Sequence, residues 1–161
     1  MPKTRFLIAL GSNQRHVRYG SPRDIMCVAL DALEQQGLSV LKHSATVSSR
    51  PIGPSNRAYA NAAAIIETEL EPDTLLTLLK SIESHFGARR GQVWSRRVLD
   101  LDIILWSEGP FSSNSPQLTI PHPMMHKRPF VLQPSAKIAP DWRDPITGLS
   151  IAQIASRKSR L

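Results

Sequence analysis

The hydrophobic positions along the chain divide it into short extended runs and two helical stripes. Arg5-Phe6-Leu7-Ile8-Ala9-Leu10 is an apolar run closed by Gly11-Ser12-Asn13, which predicts a first strand and its turn. From Pro22 to Gln36, Ile25, Met26, Ala29, Leu30 and Leu33 recur at helical spacing, with Ser21 as the cap and Gly37 as the stop. Leu38 to Ser49 alternates loosely and is read as one strand. Arg50-Pro51-Ile52-Gly53-Pro54 forces a rigid, irregular loop. Tyr59 to Glu69 forms the next strand, with Tyr59, Asn61 and Ala63 on one face and Ala60, Ala62 and Ala64 on the other. A second helix follows Glu71-Pro72-Asp73, with the stripe Leu75, Leu78, Leu79, Ile82 and Phe86 and an exit at Gly87.

The stretch from Arg96 to Leu105 reads as a strand in which Leu99, Leu101 and Ile103 share one face while Asp100 and Asp102 share the other. Residues 109–116 look like a turn, Leu118 to Ile120 like an edge strand, and Phe130–Ile138 and Ile151–Ala155 like short helices. The order βαββαβ predicts an α+β, ferredoxin-like fold: an antiparallel sheet with two main helices on one face and the active site on the other. The chain is expected to be a single domain over residues 1–161, with about 156–161 as a flexible tail.

Composition narrows the class. A 41% hydrophobic and 20% charged chain is that of a soluble globular protein, and the net charge of +7 favours an anionic partner. The single cysteine, Cys27, sits among apolar residues and is expected to be a small core side chain. There is no leader-like apolar segment and no run long enough to span a bilayer, so a cytoplasmic location and no membrane partner are expected.

The candidate chemistry centres on Asp100 and Asp102. On one strand face their carboxylates lie roughly 6–7 Å apart, from the rise of about 3.3 Å per residue. One reading is a pair of solvated aspartates neutralised by Arg96 and Arg97. The other is a pair of hard oxygen donors for Mg²⁺, which favours one or two carboxylates plus substrate phosphates. The loop at 88–97 carries Arg89, Arg90, Arg96 and Arg97, the guanidinium forks that phosphate recognition uses. No Gly-x-x-x-x-Gly-Lys-Ser/Thr phosphate loop is present, so nucleotide binding must rely on side chains and metal. Pro121 to Phe130 adds His122, Lys127, Arg128 and an aromatic ring. Trp94, in the middle of the basic loop, reads as part of a lid. A small RNA-binding module with stacking aromatics is the competing class, and the aspartates argue against it, since they repel a phosphate backbone.

The motifs Ala9-Leu10-Gly11-Ser12-Asn13, Pro51-Ile52-Gly53-Pro54, Tyr59-Ala60-Asn61-Ala62-Ala63, Trp94 through Asp102, Leu118-Thr119-Ile120-Pro121-His122, Arg128-Pro129-Phe130-Val131-Leu132 and Ile138-Ala139-Pro140 occur in order. In this the chain resembles the 6-hydroxymethyl-7,8-dihydropterin pyrophosphokinase family of folate biosynthesis. The resemblance implies transfer of pyrophosphate from ATP to the hydroxymethyl oxygen of the pterin, leaving AMP. It implies two Mg²⁺ ions on Asp100 and Asp102, and Arg90 and Arg97 as catalytic phosphate clamps. It implies ATP contacts from Ile103, Thr119, His122 and Arg128. For the pterin it implies Tyr59 and Phe130 as the stacking pair, Asn61 with the backbone near Ser49 and Ile52 as readers of the ring edge, and Trp94 as the lid. A monomer with no nucleic-acid partner is expected. The chain departs from the family pattern at Ala88, where an Arg is usual, at Ser95-Arg96, where Gly-Pro is usual, at Pro123 and at Ser49, where Thr is common. Ala88 makes a catalytically silent relative, kept as a scaffold, a third reading.

Overall fold

The computed structural model describes residues 2–49, 59–87 and 98–159. Its centre is the pairing of β1 (Thr4–Ser12) with β4 (Tyr59–Thr68), antiparallel and in unbroken register from Thr4 opposite Thr68 to Ser12 opposite Ala60. The other side of β1 pairs with β5 (Asp100–Trp106), also antiparallel. The outer side of β4 takes β2 (Ser39–His43) and then β3 (Val47–Ser49), giving a five-stranded sheet in the order β2-β4-β1-β5, with β3 beside β4.

One face of this sheet carries Phe6, Ile8 and Leu10, Ala60, Ala62, Ala64 and Ile66, with Leu101 and Ile103, all buried. Against it pack α1 (Pro22–Gln35) through Ile25, Met26, Ala29 and Leu33, and α2 (Pro72–Phe86) through Leu75, Leu79, Ile82 and Phe86. Each such side chain removed from water contributes about 1.5–3 kcal/mol, and the alanines of β4 let the helices approach closely. The N-terminus of α1 is fixed by a reciprocal cap: the Ser21 hydroxyl accepts from the Asp24 amide, and the Asp24 carboxylate accepts from the Ser21 amide. These two stripes lie where the sequence periodicity puts them.

The opposite face departs from expectation. The sequence assigns it wholly to a ligand, but part of it is a second core. Leu7, Ala9, Ala63, Ile65, Ile104 and Leu105 are covered by α3 (Pro129–Ile138) and α4 (Ile151–Ser159) through Val131, Leu132, Ile138, Ile151 and Ile154. A register shift in β5 makes this possible. Leu7 pairs with Leu105 but Ile8 pairs with Ile103, so Ile104 is an extra residue, and both Ile104 and Leu105 reach the same core.

Other local expectations are corrected. Residues 38–49 form two strands, because Ser44 binds both backbone groups of Ala63: its amide donates to the carbonyl (2.8 Å) and its hydroxyl accepts from the amide (2.9 Å). The turn expected at 109–116 contains β6 (Phe111–Asn114), which pairs with β7 (Gln117–Ile120) as a separate hairpin. Its Phe111 meets Trp106 edge-on at 5.9 Å. Cys27 is exposed rather than buried, since the α1 stripe runs through Ile25, Met26, Ala29 and Leu33 and leaves position 27 to the side. Helix α4 continues past Ala155 to Ser159.

Candidate active site

The part of the second face that α3 and α4 leave uncovered lies at the Ser12 end of β1. There Gly11 sits in register with Asn61 on one side and Asp100 on the other, and in the next row Ala9 sits between Ala63 and Asp102. Residues in register share a face, so Asn61, Gly11 and Asp100 form one line across three strands. That line spans about 10 Å from two interstrand spacings. A methyl group added at Gly11 would stand 3.2 Å from Asn61 Oδ1, so the missing side chain keeps the middle of the line open. Tyr59, two residues before Asn61 on β4, extends the same face and is half-buried.

Asp100 and Asp102 alternate with Leu101 and Ile103 as the period of a strand requires; the aspartates are partly exposed and the other two buried. The strand is tied down between them, because the Leu101 amide donates to Glu83 Oε2 of α2 at 2.7 Å. Burial pushes the Glu83 carboxyl up; the Leu101 amide and Lys80 act against this, and Asp100 adds to it. Burial also pushes the Asp102 carboxyl above its ordinary range, and the neighbouring Asp100 charge pushes it further, against smaller pulls from His122, Lys80 and Arg128.

An imidazole and a guanidinium, those of His122 and Arg128, reach this face from the segment after β7. The His122 amide donates to the Ile104 carbonyl (3.0 Å), which holds the segment against β5. His122 Nδ1 accepts from the Met124 amide (3.1 Å), so the neutral ring carries its proton on Nε2. Burial lowers the His122 pKa, while Asp102 draws it back up. Six residues later Arg128 Nη1 lies 3.6 Å from Asp102 Oδ2. Arg128 also lies over the Phe130 ring, at 5.8 Å from its centroid, and Phe130 is itself 49% exposed at the start of α3.

The donor set fits a hard divalent cation. Two carboxylates on one face, one of them destabilised by burial and by the other, gain from a cation between them. Among the described residues no group of three or more His, Cys, Asp or Glu side chains is disposed to hold a metal. Two carboxylates with substrate phosphate and water completing the shell is the pattern typical of Mg²⁺.

Beside this face runs an open groove of about 710 Å³. One wall is the hairpin and its exit, with Phe111, Thr119, Ile120 and His122. The other is formed by His126 with Asp144, Ile146 and Thr147. Asp144 is buried, and its carboxylate accepts from His126 Nε2 (2.7 Å), the Ile146 amide (2.8 Å) and the Thr147 hydroxyl (2.9 Å). Burial alone would push its pKa up; these hydrogen bonds prevail and hold it below the ordinary value.

Of the residues singled out from sequence, the structure gathers Tyr59, Asn61, Asp100, Asp102, His122 and Arg128 about one end of the sheet, and Thr119 in the groove beside it. The side chain of Ile103 is 2% exposed and packs in the helix-side core, so only its backbone is left for an ATP contact. Ser49 is present through its backbone, paired with Tyr59 at the end of β3. Ile52, Arg90, Trp94 and Arg97, with the departures at Ala88 and Ser95-Arg96, lie outside the described residues. Sequence reasoning missed Glu83 and the Asp144 wall. Asp-Pro-x-Thr-Gly at 144–148 does signal a turn, but not what the turn faces.

A family model described as 7,8-dihydro-6-hydroxymethylpterin-pyrophosphokinase (HPPK) matches residues 7–140. A 2-amino-4-hydroxy-6-hydroxymethyldihydropteridine pyrophosphokinase of Synechocystis sp. is 43% identical over 118 residues, covering 73% of this chain and 60% of that protein. The protein of the same name from Haemophilus influenzae is 41% identical over 136 residues, covering 83% of this chain and 81% of its own length. Among solved structures, Plasmodium falciparum HPPK-DHPS superposes with a TM-score of 0.75 at 13% identity, covering 99% of this chain and 42% of that one, a likeness of fold.

Proposed function

The chain belongs to the 7,8-dihydro-6-hydroxymethylpterin-pyrophosphokinase family, enzymes that transfer pyrophosphate from ATP to hydroxymethyldihydropterin in folate biosynthesis, and on that footing we propose that it carries out this transfer at the open end of the second sheet face. The observation that carries the reading is the placement of Asp100 and Asp102 on one face beside Asn61, with Arg128 3.6 Å from Asp102 and His122 close enough to Asp102 for each to shift the other's pKa.

In this reading Asp100 and Asp102 hold Mg²⁺, two ions with ATP. Bound there, the metal supplies charge neutralisation and alignment of the triphosphate. The groove seats the adenine against Thr119 and the backbone at Ile103. His122, through Nε2–H, and Arg128 donate to phosphate oxygens, and Arg90 and Arg97 clamp the transferred group. Asn61 and the backbone at Ser49 and Ile52 read the polar edge of the pterin, Tyr59 and Phe130 stack on its ring, and Trp94 closes over it. The hydroxymethyl oxygen attacks the β-phosphorus, the bond from that phosphorus to the α,β-bridging oxygen breaks, AMP departs and the hydroxyl proton is released. Positioning and charge do the catalysis, as in phosphoryl transfer generally.

The strand order β2-β4-β1-β5 with α1 and α2 on one face supports a ferredoxin-like architecture. Both cores share one sheet, which supports a single domain. The exposed thiol of Cys27 suits a reducing cytoplasm. On the open part of this face β1 offers Gly11 where an RNA platform would need a stacking ring.

The test is AMP formation by purified protein with MgATP and 6-hydroxymethyl-7,8-dihydropterin. Turnover that vanishes in the Asp100→Asn/Asp102→Asn double variant is expected. An inert wild type removes the activity, and an undiminished double variant removes the metal assignment.

A further inference from the structure

His126 and Asp144 are eighteen residues apart and joined by the 2.7 Å hydrogen bond across one wall of the groove. On the Asp144 side, the carboxylate is a hub. Its side chain is 4% exposed, and it fixes the Ile146 amide and the Thr147 hydroxyl, while the Gly148 amide returns to the Asp144 carbonyl at 2.8 Å. This clamp holds Ile146 73% exposed at the groove, an apolar side chain presented to solvent by its own backbone.

On the other side, His126 sits in the 3₁₀ turn Met125–Lys127. That turn is bonded back to His122 through the Met125 amide (3.1 Å) and forward to Arg128, whose amide donates to the Met125 carbonyl (3.4 Å). The pair therefore joins the Ile146 wall of the groove to the segment that carries His122 and Arg128.

We propose that His126, held by Asp144, is a positioning residue for the nucleotide: it sets the distance between the Ile146 wall, which faces the base seated against Thr119, and the His122–Arg128 segment that takes the phosphates. The inference rests on reading the groove as the seat of the base. His126 does not touch the reacting atoms. It makes base contact and phosphate contact mutually compatible, so that binding energy from one end is available at the other.

The experiment titrates the full chain, with Mg²⁺ present, with α,β-methylene-ATP and separately with inorganic tripolyphosphate, which lacks the base. His126→Ala is expected to weaken the nucleotide about tenfold, a loss of about 1.4 kcal/mol, and to change tripolyphosphate affinity less than twofold. His126→Gln, which keeps an N–H donor for Asp144, is expected to recover most of the loss. In turnover, the KM for ATP should rise while the KM for the pterin holds. A purely structural role predicts equal weakening of both probes with no recovery by Gln, and that result, or no change in either probe, overturns the proposal. If His126→Ala does not fold, Thr147→Ala carries the test, since it frees one arm of the same clamp; it should show the same selectivity for the nucleotide. Wild type that binds tripolyphosphate no less tightly than the nucleotide overturns the inference alone. Wild type that binds neither overturns the proposed function beneath it.

Discussion

Glu83 Oε2 accepts a 2.7 Å hydrogen bond from the amide of Leu101, the residue between the two aspartates of the site. Helix α2 thus fixes the strand at the point where Asp100 and Asp102 diverge from it. Glu83→Ala is expected to cost about 1–3 kcal/mol of stability, because it leaves a buried N–H without its acceptor. It should also raise the KM for MgATP. Glu83→Gln keeps a carbonyl acceptor and should restore most of both losses. Urea unfolding and steady-state kinetics on the two variants separate the effects; a normal KM in Glu83→Ala would show that the aspartates are held by other means.

The gap at Gly11 predicts a selective defect. An alanine there brings its methyl to 3.2 Å from Asn61 Oδ1, close enough to push that side chain but not to break the β1–β4 ladder. Gly11→Ala is expected to fold with stability within about 1 kcal/mol of wild type. It should raise the KM for the pterin about tenfold, as lost alignment of one amide contact at about 1.4 kcal/mol implies. The KM for ATP should be unchanged. Equal loss toward both substrates would place Asn61 elsewhere in the reaction.

Much of this site is legible in the sequence because alternation is a strong signal. A strand must send Asp100 and Asp102 to one side and Leu101 and Ile103 to the other, and it does. The alanine faces of β4 are readable for the same reason, and the leucine stripe of α2 from the helical period. The bulge at Ile104 was not, since Ile103, Ile104 and Leu105 are equally apolar and only the register against Leu7 and Ile8 distinguishes them. That one residue allows the second core under α3 and α4, and so decides how much of the face is open. The hairpin of β6 was hidden by Ser112, Ser113 and Asn114, which resemble a turn until Phe111 finds Ile120. The groove wall is a long-range product of His126 meeting Asp144, and no local pattern announces it.

The Asp144 cluster gives the fold a pH dependence. Its carboxyl is held below the ordinary value in the folded protein, so the folded state binds a proton there less readily than the unfolded chain. The stabilisation is therefore complete above about pH 4, the usual aspartate value, and declines as the pH falls through the lowered one. Wild type should lose stability on acidification below about pH 4 more steeply than Asp144→Asn. At neutral pH the variant should be less stable by about 1–3 kcal/mol, since Thr147 and the Ile146 amide lose a charged acceptor. Thermal melts of both proteins between acid and neutral pH provide the check, and parallel curves would deny Asp144 the role.

Asp102 poses the opposite case, a group the fold tolerates rather than needs. Burial and the Asp100 charge both work against its ionised form, with Arg128 at 3.6 Å as partial compensation. Asp102→Asn removes one of two like charges while keeping the shape, so without divalent ions the variant should melt at or above the wild-type temperature. Activity should move the other way, with kcat falling at least about 10²-fold, the size typical of losing a charge-stabilising group. Linkage supplies an independent measure. At about 100 times the Kd, Mg²⁺ with α,β-methylene-ATP should add about 2.7 kcal/mol to wild-type stability. Asp102→Asn should gain little of this, and chelation by EDTA should abolish both the gain and AMP formation in wild type. A variant that is destabilised without metal, yet still stabilised by Mg²⁺ and nucleotide, would mean that Asp102 serves the fold and that the cation is held by other groups.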